Sequence, residues 1–160
     1  MMQKIESSFE KLLVLLVEHD VAFVTVGGIA VCLHGYVRLT EDVDILVDPS
    51  QQNVAKLITA LQNYGEGYGG MLTQDDFDDQ EGALRVIEAI EHCQIDIFTR
   101  MQGLHLEDFA DDIQSFLSSS GVDIPYLGSS SLIRLKSQSL REKDRVDVSV
   151  LKRIQNGENF

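Results

Sequence analysis

Three aspartates and a pair of glycines carry the chemistry that this chain could do. Gly27-Gly28 closes the apolar run Val24-Thr25-Val26, and after thirteen intervening residues Asp42 and Asp44 follow in Asp-Val-Asp-Ile-Leu-Val. Successive strand side chains point to opposite faces, so Asp42 and Asp44 share one face at roughly 7 Å along the backbone. Two carboxylates on a rigid face, beside a glycine turn that can approach a phosphate, suit metal-dependent phosphoryl chemistry. The third candidate is Asp96, in Gln94-Ile95-Asp96-Ile97-Phe98. An acid between two isoleucines is costly to bury unless it faces an open edge, is paired or binds metal. If its strand lies beside the Asp42/Asp44 strand, the three acids converge. Asp42 and Asp44 could then hold two divalent ions, while Asp96 completes one site and acts as base toward an incoming hydroxyl. Any one of these acids alone could equally be a solvated strand end or a cap.

The elements that must position these residues read as alternating strands and helices, which favours an α/β sandwich over a bundle. Residues 4 to 18 place Ile5, Phe9, Leu12, Leu13 and Leu16 on one helical stripe, with Glu6, Glu10 and Lys11 outside. This stripe is expected to pack on the core, with a dimer contact as the alternative. Val21 to Val26 reads as a buried strand, 29 to 34 as a short helix, and 42 to 47 as the acid-bearing strand. Ser50 reads as the N-cap of a helix running through Gln62, and Gly65 to Gly70 as a flexible connection. Residues 85 to 89 and 94 to 99 suit a hairpin. A short helix is expected over 106 to 117, an extended run over 124 to 127, and closing helices over 130 to 140 and 143 to 155. Residues 1 to 128 are expected to form the core, with 129 to 160 as a helical segment packed on the same domain.

The bulk composition narrows the function. The 160 residues carry a net charge of −13, unevenly spread. Between Glu66 and Asp112 only Arg85 and Arg100 stand against thirteen acids, whereas Arg134 to Arg153 holds seven cations and three acids. An acidic body argues against a broad nucleic-acid footprint, because that affinity rests on neutralising many phosphates. The local basic patch could hold a triphosphate or an RNA end, or be no more than a solvated face. No apolar stretch approaches the roughly 18 residues of a membrane span, and no signal-peptide pattern opens the chain. Cys32 and Cys93 sit in apolar surroundings and read as reduced core thiols, which with the rest implies a cytoplasmic protein. The acidic segment 75 to 81 fails the calcium-loop pattern: counted from Asp76, Glu81 stands where glycine is required and Ile87 where the closing glutamate belongs. His34 reads as a packing or hydrogen-bonding residue. Tyr64, Tyr68 and Phe77 could stack on a base or be ordinary loop aromatics. No zinc site, P-loop or serine triad is present in the sequence.

Gly-Gly, thirteen residues, Asp-x-Asp and a later strand aspartate together resemble the nucleotidyltransferase superfamily, with its DNA polymerase β-like fold. The stretch from Gly27 to Asp44 is similar to that of small bacterial members grouped with AbiEii-type abortive-infection toxins and MNT-type nucleotidyltransferases. Lys136, Arg141-Glu142-Lys143-Asp144 and Asp147 resemble that group's closing Lys…Arg-x-Lys-Asp-x-x-Asp motif. The resemblance implies a minimal nucleotidyltransferase fold, a mixed β-sheet flanked by helices. Gly27 and Gly28 would contact an NTP, and Asp42, Asp44 and Asp96 would bind Mg²⁺ (or Mn²⁺). Lys136, Arg141 and Lys143 would lie near the phosphates, with Lys143 counted among the catalytic residues. Asp144 and Asp147 would orient those cations or join the cluster, and Arg38 and Thr40 could steady the acid loop or touch the nucleotide. Lys143 and Asp147 could instead form a plain surface pair one helical turn apart.

The implied reaction moves an NMP from an NTP, ATP among them, to a hydroxyl of RNA, a protein or a small molecule. A toxin–antitoxin setting suggests tRNA or a partner protein, and an antibiotic acceptor is the enzymatic alternative. A non-catalytic relative binding nucleotide or a partner is the other class. Three adjacent carboxylates that repel without metal count against it.

Overall fold

Strands β1 (Phe23–Val26), β2 (Asp42–Val47), β3 (Leu84–Glu88), β4 (Cys93–Phe98), β5 (Ile113–Leu117) and β6 (Asp123–Leu127) form one mixed sheet in the order β3-β4-β2-β1-β6-β5. They belong to a computed structural model that describes residues 7 to 158. The helices are α1 (Ser8–Glu18), α2 (Gly27–Leu33), α3 (Gln51–Leu61), α4 (Ser129–Lys136) and α5 (Glu142–Gln155). Ile5 and Glu6 of the expected N-terminal stripe lie outside the described residues. No helix among the described residues is long and apolar enough to cross a membrane.

The period-two pattern of β2 decides how the sheet is covered. Val43, Ile45 and Val47 are fully buried in a cluster with Leu12, Leu13 and Leu16 of α1 and Leu57, Ala60 and Leu61 of α3. The N-terminal stripe thus packs on the core. Leu46, on the other face, joins Val24 and Val26 of β1, Ala30 and Val31 of α2, Leu132 of α4 and Leu151 of α5. Burying a Leu or Val side chain contributes about 1.5–3 kcal/mol, so both helical layers are held firmly. Asp42 and Asp44 share the face of Leu46, at the strand end that the second layer leaves open.

Local signals set the helix ends. Ser50 caps α3 by accepting from Asn53 N at 3.3 Å. The Asn53 side chain is itself buried, donating to the carbonyls of Ala22 and Asp48 at 2.9 and 2.8 Å, which ties α3 to the entry of β1. At α4, the Asp112 carboxylate accepts from Ser131 N at 2.9 Å. That bond satisfies a free first-turn donor and fixes the helix that carries Lys136.

Three expectations need correction. The segment 106 to 117 is not one helix: a 3-10 turn over Leu106–Asp112 gives way to β5, which pairs antiparallel with β6 from Ile113↔Leu127 to Leu117↔Asp123. Ladder pairing across the Ser-Ser-Ser-Gly turn wins over weak helical periodicity, so this is a second hairpin. The short helix begins at Gly27 rather than at Ile29. The glycine-rich connection contains a 3-10 turn, Tyr68–Met71, seated on α3. A Cβ at buried Gly69 would stand 2.8 Å from that of Leu61, so glycine there permits close approach.

Candidate active site

The sheet register brings the three carboxylates together. Val26 of β1 lies opposite Asp44 of β2, and Asp44 lies directly beside Asp96 in the parallel β2–β4 pair. Asp42, Asp44 and Asp96 each offer an oxygen, and these oxygens all lie within 4.8 Å of one another. Three carboxylate oxygens converging in this way are the kind of donor set that a hard divalent cation such as Mg²⁺ takes. Gly27 is required twice over. Its φ is +67°, and a Cβ there would stand 2.1 Å from Asp44 Oδ2. A Cβ at Gly28 would approach Thr40 Cγ2 to 2.8 Å and Arg38 Nη2 to 3.0 Å.

The electrostatics of Asp44 fit a cation site. Its carboxyl is pushed up to about 6, first by burial and then by Asp96 and Asp42, with Lys136 and Arg141 pulling the other way. Its Oδ1 is buried with no hydrogen-bond partner. A buried, orphaned oxygen among like charges is expensive for a protein that has nothing to bind there. A divalent ion is the donor-free partner that would satisfy it.

Opposite the acids stands a cationic cluster built on α4 and α5. Lys136 Nζ donates to Asp144 Oδ1 at 2.9 Å and lies 3.0 Å from Asp147 Oδ2. Arg141 Nε donates to Asp144 Oδ2 at 2.9 Å. Arg38 reaches across from the loop before β2, its Nε and Nη2 donating to the two Asp147 oxygens at 2.8 and 2.7 Å. Burial opposes charge on Asp144, but hydrogen bonds from Lys136, Ser139 and Arg141 outweigh it and hold the carboxyl well below the usual carboxylate range. Asp144 and Asp147 are thus buried struts that aim cations rather than members of the acid triad. The surface pair between Lys143 and Asp147 does not form, because Asp147 is fully buried and bonded to Arg38 and Lys136.

A cleft of about 90 Å³ separates the two charge clusters. Gly28, Arg38, Thr40, Asp42 and Asp44 line one side, and Lys136, Arg141, exposed Lys143 and Asp144 the other. Gly27 and Asp96 lie beside Asp44, just behind this lining. Larger hollows, one beside Asp76 to Leu84 and an apolar one between α1, α2 and β5, hold no such convergence of opposite charges.

Two residues of the site were not singled out from the sequence. Glu41 lines the cleft, and Arg85 pairs with Asp96, its Nε donating to Oδ1 at 3.0 Å. Other candidates lie elsewhere. His34 Nε2 donates to the Leu127 carbonyl at 2.8 Å and its ring meets Tyr126 edge-on. Tyr64 is buried with its hydroxyl on the Ser8 carbonyl. Cys32 and Cys93 are free thiols.

No protein-family model matches the chain, and no curated protein matches it in sequence. Solved structures do match. The lincosamide antibiotic adenylyltransferase LnuA, in its lincomycin-bound crystal structure, superposes with a TM-score of 0.63 at 21% identity, covering 94% of this chain and 98% of that one. An antigenic nucleotidyltransferase-like protein from Paracoccidioides brasiliensis matches with a TM-score of 0.55 at 15% identity, covering 91% and 75%. The chain has a nucleotidyltransferase fold. At these identities the likeness is one of fold, and it bears out the expected mixed sheet flanked by helices.

Proposed function

We propose that the protein is a divalent-metal-dependent nucleotidyltransferase that moves an NMP from an NTP to a hydroxyl of a small-molecule acceptor. The observation that carries this reading is the convergence of Asp42, Asp44 and Asp96 within 4.8 Å on one sheet face, opposite Lys136, Arg141 and Lys143. Asp42, Asp44 and Asp96 would hold Mg²⁺ or Mn²⁺, which when bound neutralises phosphate charge and orients the reacting oxygens. Gly27 and Gly28 let the triphosphate approach the backbone. Lys136, Arg141 and Lys143 offset the charge that develops as the reaction proceeds. Arg38, held by Asp147, fixes the loop that carries Thr40 and delivers β2. The acceptor hydroxyl oxygen bonds to the α-phosphorus, the bond from that phosphorus to the bridging oxygen breaks, and pyrophosphate leaves with the electron pair. The proton passes to an Asp96 carboxylate oxygen.

A small acceptor is favoured over RNA by two observations. The acid-rich stretch from Glu66 to Asp112 repels a polyanion, and one neighbour in fold is an antibiotic adenylyltransferase aligned over almost its full length. The two free thiols suit a cytoplasmic setting. The test is to incubate the protein with each α-labelled NTP, Mg²⁺ and three separate acceptor pools: hydroxylated antibiotics, total RNA and cell protein. Label in the first pool is the expected result. Label in RNA or protein would overturn the acceptor class in favour of a toxin-like enzyme. Binding of Mg-NTP without transfer to any pool would favour a non-catalytic relative.

A further inference from the structure

Arg85 takes no part in the reaction just described, yet among the described residues it is the cation paired with the third carboxylate. It sits on edge strand β3 directly opposite Asp96 of β4 in the antiparallel register. The register therefore sets its side chain on the face of the triad. Nε donates to Asp96 Oδ1 at 3.0 Å, with a longer contact of 3.5 Å from Nη2 to Oδ2. The field of Asp42 and Asp44 reaches the guanidinium as well. The two partners differ in freedom: the Arg85 side chain is 58% exposed and that of Asp96 only 9%. The guanidinium can swing toward solvent, while the carboxylate stays fixed in the strand.

Lys136 and Arg141, the other cations near the triad, are engaged by Asp144. That leaves Arg85 as the group that directly offsets the third charge. A divalent ion among the three carboxylates would need an Asp96 oxygen that Arg85 now holds, and the two cations would repel across a few ångströms. Resting on the metal-dependent reading above, we infer that Arg85 is a resident counter-ion of Asp96 that the incoming divalent ion displaces. It is a positioning residue: it holds the third carboxylate in place before the metal arrives, and it lowers the metal affinity of the site.

The probe is Mn²⁺ titrated into the full chain, followed by calorimetry and by the paramagnetic signal of the free ion. Arg85→Met should bind Mn²⁺ about tenfold more tightly than the wild type, because a full charge beside the ion is removed. Arg85→Lys, which keeps the charge, should return toward the wild-type value, and Arg85→Gln should follow Arg85→Met. Without metal, Arg85→Met should melt below the wild type, and Mn²⁺ should raise its Tm by more than it raises that of the wild type. A merely structural Arg85 would lower the Tm and leave Mn²⁺ affinity unchanged; that result, or weaker binding in both neutral variants, overturns the inference. The control separates the two levels of the argument. If Asp42→Asn/Asp44→Asn binds Mn²⁺ as the wild type does, or no variant binds it at all, the metal site itself is wrong. If the control loses binding and Arg85→Met gains none, only the role of Arg85 is wrong.

Discussion

Replacing Asp44 by Asn should stabilise the metal-free protein at neutral pH, against the usual expectation for a change at a half-buried strand position. The Asp44 carboxyl stands near 3.8 in the unfolded chain and is raised to about 6 in the fold. Burial is the largest cause, followed by repulsion from Asp96 and Asp42, and the attraction of Lys136 and Arg141 is already included in the net rise. The folded state therefore binds more protons than the unfolded state between these values. Stability falls as pH climbs from about 4 to about 6, and the full penalty applies above that window. Two pKa units at 1.36 kcal/mol each make the cost about 3 kcal/mol. Asparagine keeps the shape and removes the charge, so it should recover about 2–3 kcal/mol at pH 7.5 and nothing near pH 3.5. Urea denaturation in the presence of a chelator, repeated from pH 3.5 to 8, measures this directly. A variant less stable than the wild type at pH 7.5, or a gain that persists at pH 3.5, would refute the electrostatic reasoning. Adding Mn²⁺ should reverse the order, since the wild type gains a ligand that the variant has lost.

Other perturbations follow from the same geometry. Gly27→Ala places a methyl group 2.1 Å from Asp44 Oδ2 at a φ of +67°; it should cost at least about 1–3 kcal/mol from the backbone alone and abolish Mn²⁺ binding, as thermal melts and calorimetry would show. Asp147→Ala leaves Arg38 and Lys136 without their shared buried partner, and chemical denaturation should register a loss of about 3–5 kcal/mol. Lys143→Ala, at an exposed rim position, should change stability by no more than about 0.5 kcal/mol while lowering turnover of Mg-NTP, a split that parallel melts and pyrophosphate assays would reveal.

The acid-bearing strand was legible because its pattern is local. Alternation and the Asp-Pro-Ser break bound β2 at Asp42–Val47, and the Ser50 cap likewise marks α3. The placement of Asp96 beside Asp44 was legible only as a condition, since strand order is set by long-range pairing, and the parallel β2–β4 register meets that condition. Arg85 was hidden by the register of the hairpin: closure at Ala89 and Gln94 would set it opposite Phe98, two residues beyond its observed partner. The expected strands, 85 to 89 and 94 to 99, do not place Arg85 opposite Asp96, whereas the observed Glu88↔Cys93 closure does. A two-residue shift leaves each side chain on its face and changes only its direct cross-strand partner. The inward turn of Asp147 was equally invisible. Helical spacing pairs it with Lys143, and only the packing of α5 against the loop of Arg38 decides otherwise. The 106 to 117 segment failed for a related reason, since ladder partners six to fourteen residues away outweigh local periodicity.

The central claim is that the three aspartates support attack on the α-phosphorus of an NTP. Matched reactions with α-labelled and γ-labelled ATP, Mg²⁺ and the hydroxylated small-molecule pool address it most directly. The α label should appear on an acceptor and the γ label in pyrophosphate, with both signals lost in Asp42→Asn/Asp44→Asn. Transfer of the γ label to the acceptor, or α transfer that survives in the double variant, would contradict the claim.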